Sequence, residues 1–199
     1  MYTINIVGGS ASGKTTLAKK LQHNLKDCVI ISQDNYHNDM SHLTRKELSE
    51  HNFDTPDALN LNQLVKDIKL LNENGNVKIQ KYDFVSQISS KNHFHINKPK
   101  FLIIEGLFTL YTKDLIEVSD MRIFIDVNTD ERLNRRILRD TTERGDTKKE
   151  VIERFNKFVE IGHQKYVQPQ INKSDYIVSV NSFEDDITNI TELIKILNK

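Results

Sequence analysis

Residues 8–15 read Gly8-Gly9-Ser10-Ala11-Ser12-Gly13-Lys14-Thr15 and match G-x-x-x-x-G-K-[ST] at every position. Glycines let such a loop turn tightly, so that backbone N–H groups face phosphate oxygens. A helix starting at the loop adds the positive end of its dipole. Lys14 then reaches the β- and γ-phosphates, and the Thr15 hydroxyl is a hard oxygen ligand for Mg2+. ATP and Mg2+ are the expected cofactors, with the eight motif residues and Thr16 as the nucleotide cradle.

Three further groups carry chemistry. The run Phe101-Leu102-Ile103-Ile104-Glu105-Gly106 is an apolar strand ending in an acid. Ligands bind at the carboxyl ends of such strands, so Glu105 is expected on the metal, opposite Thr15. The plainer alternative is an acid at a strand edge. A second strand ends Ser32-Gln33-Asp34, which sets the Asp34 carboxylate beside the loop, where it can aim an attacking hydroxyl or take its proton. Arg132, Arg135, Arg136 and Arg139 lie three and four apart and form one helical stripe. A solvated face paired with neighbouring acids is the expectation for Arg132 and Arg135. Asn172-Lys173-Ser174-Asp175 spells a guanine-reading N-K-x-D, but it precedes a strand and has no D-x-x-G companion. It is read as coincidence.

The elements that must position these groups follow from patterning. Short apolar runs at 2–7, 29–32, 101–104, 121–125 and 176–180 read as buried strands. Helical patterns cover 14–25, 61–74, 130–140, 149–167 and 184–197. The alternation predicts an α/β fold, a parallel sheet flanked by helices, within one domain spanning 1–199. Residues 77–82 and 93–96 read as a β-hairpin inserted over about 76–98. The 28 basic and 28 acidic residues cancel, so no nucleic acid polymer is expected as partner. No leader pattern and no run near the ~20 apolar residues of a bilayer span occurs, so no membrane is expected and a cytoplasmic location is. The single cysteine, Cys28, reads as a core residue suited to a reducing compartment.

Other segments add a resemblance. Ser32-Gln33-Asp34, Asn52-Phe53-Asp54-Thr55-Pro56-Asp57-Ala58, Tyr82-Asp83-Phe84, Glu105-Gly106, Arg135-Arg136-Ile137-Leu138-Arg139-Asp140 and Glu143-Arg144-Gly145 occur in this order. Together with the loop they resemble the uridine–cytidine kinase family over nearly the whole chain. The resemblance implies a P-loop kinase phosphorylating the 5′-hydroxyl of uridine or cytidine in pyrimidine salvage. It implies Asp34 as base, Asp54 and Arg136 on the ribose, and Phe53, Phe84 and Tyr82 around the nucleobase, with Tyr36 also on the substrate. It places Arg139 and Arg144 on ATP phosphates in a lid over about 136–154, as catalytic groups with Lys14. It also implies a homo-oligomer, a tetramer in that family. Read from the residues alone, Phe53 and Phe84 are equally core residues, Asp54 a turn residue before Pro56, and Asp57 structural.

Some family positions differ. Gln87 stands where a base-reading His is usual, Ser89 for an Arg, His37 for a Tyr, Asp146 for an Arg and Arg154 for a Gln. Gln87 both donates and accepts, so it suits uracil and cytosine alike. Arg154 is expected to restore at the substrate the cation lost at Asp146. Two other readings stand beside this one: a kinase for nicotinamide riboside or pantothenate, and a non-catalytic nucleotide-binding protein.

Overall fold

The computed structural model describes residues 1–83 and 88–197. Five strands form a parallel sheet in the order β2-β5-β1-β6-β7: β1 (Tyr2–Gly8), β2 (Cys28–Ser32), β5 (Phe101–Gly106), β6 (Met121–Asp126) and β7 (Tyr176–Ser179). Strands apolar on both faces need cover on both. One face packs on α1 (Lys14–Asn24) and α8 (Phe183–Leu197), burying Leu17, Leu21, Ile187, Ile190 and Ile194. The other packs on α3 (Leu61–Asn74) and the hairpin of β3 (Asn76–Asp83) and β4 (Ile88–Asn97), burying Leu64, Ile68, Leu71, Ile79 and Ile96. Register sets the chemistry: Val7 on β1 pairs with Gly106 on β5, and Ser32 on β2 pairs with Glu105. The loop, Glu105 and Asp34 thereby leave the sheet at one edge.

Local signals account for the helix ends. Asn60 caps α3 by accepting from the Gln63 N–H, and Gly75, at φ 78°, ends it. Asn128 caps α5 (Thr129–Glu143) in the same way, through the Glu131 N–H. Thr147 and Glu150 form a capping box at the start of α6 (Lys148–Arg154).

Several expectations change. The helix expected over 149–167 is interrupted. It runs as α6, a π segment Phe155–Val159, a short α7 (Glu160–Gly162) and a second π segment His163–Val167. Insertions of this kind cluster at functional sites, and here they seat the helix against the phosphate loop and the Asp54 segment. The short helices α2 (Arg45–Glu50) and α4 (Lys113–Glu117) were not legible, having too few turns to show a period. Arg132 is not on a solvated face. It is 1% exposed and pairs with Glu160 at 2.7 Å. Asn172–Asp175 is structural: Asp175 clasps Arg122, and Lys173 donates to the Leu110 carbonyl at 3.2 Å. Cys28 is half-buried on an edge strand, and burial raises its thiol to about 11, which suppresses the thiolate. Among the described residues no helix is long and apolar enough to cross a membrane.

Candidate active site

A cleft of about 1020 Å3 opens at the carboxyl edge of the sheet. The phosphate loop lines it. Gly13 is at φ 100° and Ala11 at φ 61°, both in the left-handed region, a strain that marks a conformation kept for its task. Lys14 Nζ donates to the Gly9 carbonyl at 2.7 Å, so the loop stores its lysine on itself. Burial lowers the pKa of Lys14, against the opposing pull of Glu105 and Asp34.

Beneath Gly9 lie two side chains that sequence reading missed. A Cβ there would stand 2.7 Å from Arg132 Cδ and 2.9 Å from His163 Nδ1. Arg132 thus belongs to the floor of the loop, anchored by Nε on the Val127 carbonyl at 3.1 Å. No spacing rule marks such a contact, which joins α5 and the second π segment only in space.

Thr15 Oγ1 donates to Glu105 Oε2 at 3.4 Å, which brings the two expected metal-side groups together. Glu105 is 6% exposed. Burial and then the neighbouring Asp34 raise its pKa, so this carboxylate gains from a cation. Asp34 lines the same cleft, near Lys14. Its own pKa is raised by burial, opposed by Lys14, Arg144 and Arg139.

Asp140 gathers the arginines. Its carboxylate meets Arg136 at 3.1 Å, Arg139 at 2.8 Å and Arg144 at 3.5 Å. Although burial opposes it, these cations hold the Asp140 pKa below the usual carboxylate value. Arg136 also donates to Ser10 Oγ at 2.8 Å, which ties α5 to the loop. Arg135 lines the cleft too, paired with Glu131. Arg154 does not stand as an extra cation: its guanidinium lies 3.6 Å from Asp146, and both line the cleft.

An aromatic cluster of Phe53, Tyr82, His37 and His51 also lines the cleft. The His37 ring is 4.9 Å from that of Tyr82 and 5.8 Å from that of Phe53. Asp54, next in the chain, has its pKa raised by burial and drawn back by Arg136. Phe84 and Gln87, both expected here, lie outside the described residues. Tyr36 stands apart from the cleft lining, because its hydroxyl donates to Asp67 at 2.9 Å on the side toward α3. The segment Val180–Asp185 also lines the cleft, at the mouth beyond Gly13. It follows β7, and nothing in its composition announced that role.

Two buried histidines give a stability prediction. Burial lowers His37 and His163 from 6.5 to about 4. The unfolded chain therefore takes up each proton first, and stability falls as pH drops from about 6.5 to about 4. At its steepest each contributes about 1.4 kcal/mol per pH unit. Urea midpoints across this window should rise less steeply with pH in His163→Gln than in the parent. Equal slopes would show that His163 takes no part.

A phosphate loop at the carboxyl edge of a parallel sheet, with carboxylates and arginines converging on it, defines a P-loop phosphotransferase. The chain belongs to the phosphoribulokinase / uridine kinase family, whose model matches residues 3–186. A uridine kinase of Chlamydia pneumoniae is 36% identical over 192 residues, covering 96% of this chain and 86% of the relative. A uridine kinase of Macrococcus caseolyticus (strain JCSC5402) is 33% identical over 200 residues, covering 97% of each. A phosphoribulokinase structure from Rhodobacter spheroides shares the fold at TM-score 0.65 and 17% identity, covering 89% of this chain and 69% of that one.

Proposed function

We propose that this chain transfers the γ-phosphoryl group of ATP to the 5′-hydroxyl of a pyrimidine ribonucleoside, uridine or cytidine or both, as a pyrimidine salvage kinase. The observation that carries the reading is the set of groups brought to one cleft. The phosphate loop with Lys14, Asp34 beside Lys14, Asp54 beside Arg136, and the rings of Phe53 and Tyr82 line it together. That set matches a phosphate donor, a reacting hydroxyl, a ribose diol and a planar base.

The donor lies on the N–H groups of residues 8–16, with Lys14 moving from the Gly9 carbonyl to the phosphates. Thr15 and Glu105 fit Mg2+, which would offset the negative charge of the phosphates. The acceptor oxygen attacks the γ-phosphorus while the bond to the β–γ bridging oxygen breaks. Asp34 aims the hydroxyl and receives its proton, and ADP leaves with the bridging oxygen. Asp54 accepts from the ribose hydroxyls, with Arg136 beside it.

Arg139 and Arg144 neutralise charge on the transferring group. They lie on or beside the segment 136–154, which acts as a lid that excludes water on closing. Asp140 holds both arginines at the cleft before substrate arrives, which lowers the cost of ordering them. The Asp146–Arg154 pair joins the middle of that segment to its end, and its net charge is zero. It therefore fastens the lid rather than supplying a cation to the nucleoside. A cytoplasmic homo-oligomer, tetrameric as the resemblance implies, completes the reading.

The test is a coupled ADP-release assay with Mg-ATP and uridine, cytidine, their deoxy forms, nicotinamide riboside and pantothenate. Turnover is expected with uridine or cytidine. Turnover only with a non-pyrimidine acceptor would keep the kinase and overturn its substrate. ATP hydrolysis independent of every acceptor would overturn the kinase.

A further inference from the structure

Arg132, Arg136 and Asp140 fall four apart on α5 and so share one helix face. That face meets the phosphate loop. Arg132 lies under Gly9, and Arg136 Nη1 donates to Ser10 Oγ at 2.8 Å. Arg136 is buried, and its Nε stands 3.1 Å from Asp140, the carboxylate that also holds Arg139 and Arg144. The same guanidinium is the cation that acts most strongly on the buried Asp54 carboxyl. One side chain therefore touches the phosphate loop at Ser10 and acts on the acid assigned to the ribose.

The chemistry of Ser10 makes this contact more than a brace. A hydroxyl has one proton to give and two lone pairs. While a lone pair accepts from Arg136, the proton stays available to a phosphate oxygen on the loop. An anion bonded to that proton makes the hydroxyl oxygen a stronger acceptor, so the bond from Arg136 strengthens when nucleotide is present. Fixing a long arginine at a binding site also costs conformational entropy. A nucleotide that fixes Ser10 meets part of that cost before the nucleoside arrives.

We infer that Ser10 couples the two substrate sites: through its bond to Arg136, nucleotide on the phosphate loop positions the ribose-side guanidinium and tightens nucleoside binding. Ser10 is thus a positioning residue for the acceptor as well as part of the nucleotide cradle. The inference rests on the pyrimidine nucleoside reading above. Coupling between two binding sites is reciprocal, so nucleoside tightens nucleotide binding by the same factor.

The experiment is calorimetry in the presence of Mg2+ on the parent, Ser10→Ala and Ser10→Thr. Uridine and cytidine are each titrated with and without the non-hydrolysable β,γ-methylene analogue of ATP, and the converse titration gives the factor from the other side. In the parent the analogue is expected to tighten nucleoside binding about five-fold. Ser10→Ala removes the hydroxyl and should bring that factor close to one, whatever it does to the two separate affinities. Ser10→Thr keeps a hydroxyl and should restore most of the factor. A factor of one in the parent would overturn the inference and leave the function standing. So would a parental factor retained in Ser10→Ala, which would make the Ser10–Arg136 bond a brace of the loop alone. A parent that binds neither nucleoside, with or without the analogue, would overturn the pyrimidine reading, and the inference with it. Should Ser10→Ala fail to fold, Ser10→Gly carries the same comparison.

Discussion

Asp34→Asn is expected to lower turnover about 1000-fold while the affinity for ATP changes less than about two-fold. The asparagine keeps the shape of the side chain and one acceptor oxygen. It cannot take a proton from the attacking hydroxyl. Asp34 borders the phosphate loop without donating to it, so the nucleotide cradle stays intact. Stopped turnover combined with retained ATP binding, measured by fluorescence or calorimetry, is the signature. Near-parental turnover would remove Asp34 from the mechanism.

The same residue sets the acid side of the pH profile. Burial raises the Asp34 pKa, and turnover needs its deprotonated form. Activity should therefore fall with decreasing pH at a value above the ordinary carboxylate range, near 3.9.

Gly162→Ala should raise the nucleoside KM and lower turnover by a combined factor of about 100, although residue 162 touches no proposed ligand. A Cβ at Gly162 would lie 2.3 Å from the Asp54 carbonyl oxygen. That oxygen belongs to the backbone, so no rotamer change relieves the clash. Either the Asp54 turn or the helix must move by about an ångström, and misplacement on that scale is costly at a reacting centre. The ATP KM should change less, because the clash itself falls on the Asp54 turn and not on the phosphate loop. Steady-state kinetics in both substrates separates the outcomes. Parallel losses in both KM values would point to general unfolding, and no loss would show that the turn yields freely.

Much was legible in the chain because local rules decide it. The phosphate loop is contiguous, so its eight residues announce themselves without reference to the rest of the fold. The five parallel strands read correctly because each is apolar on both faces. The α3 boundaries read correctly because Asn60 and Gly75 mark its ends. Glu105 and Asp34 could be placed at the cleft edge because strands of one parallel sheet all end on the same side.

What escaped sequence reading depends on contacts between distant segments. The π segments near 155 and 163 result from packing a helix against two surfaces, not from composition. Arg132 looked solvent-facing from its spacing, yet α5 lies with that side against the loop and buries it. Tyr36 follows the Asp34 turn, and the turn swings its ring away toward Asp67. Asp146 and Arg154 looked like a lost and a restored charge, but Arg154, at the end of α6, reaches back to Asp146 in the turn that precedes the helix.

By itself the sequence determined the phosphate-loop motif, the parallel α/β sheet and the sheet edge at which the loop, Glu105 and Asp34 emerge. Those follow from contiguous motifs and from two-sided strand burial. Only the tertiary structure decided which cations are held by partners, which side chains underlie Gly9, and that His51 packs on Phe53 in the cleft wall. These are matters of distance between residues far apart in the chain, and no local pattern encodes them.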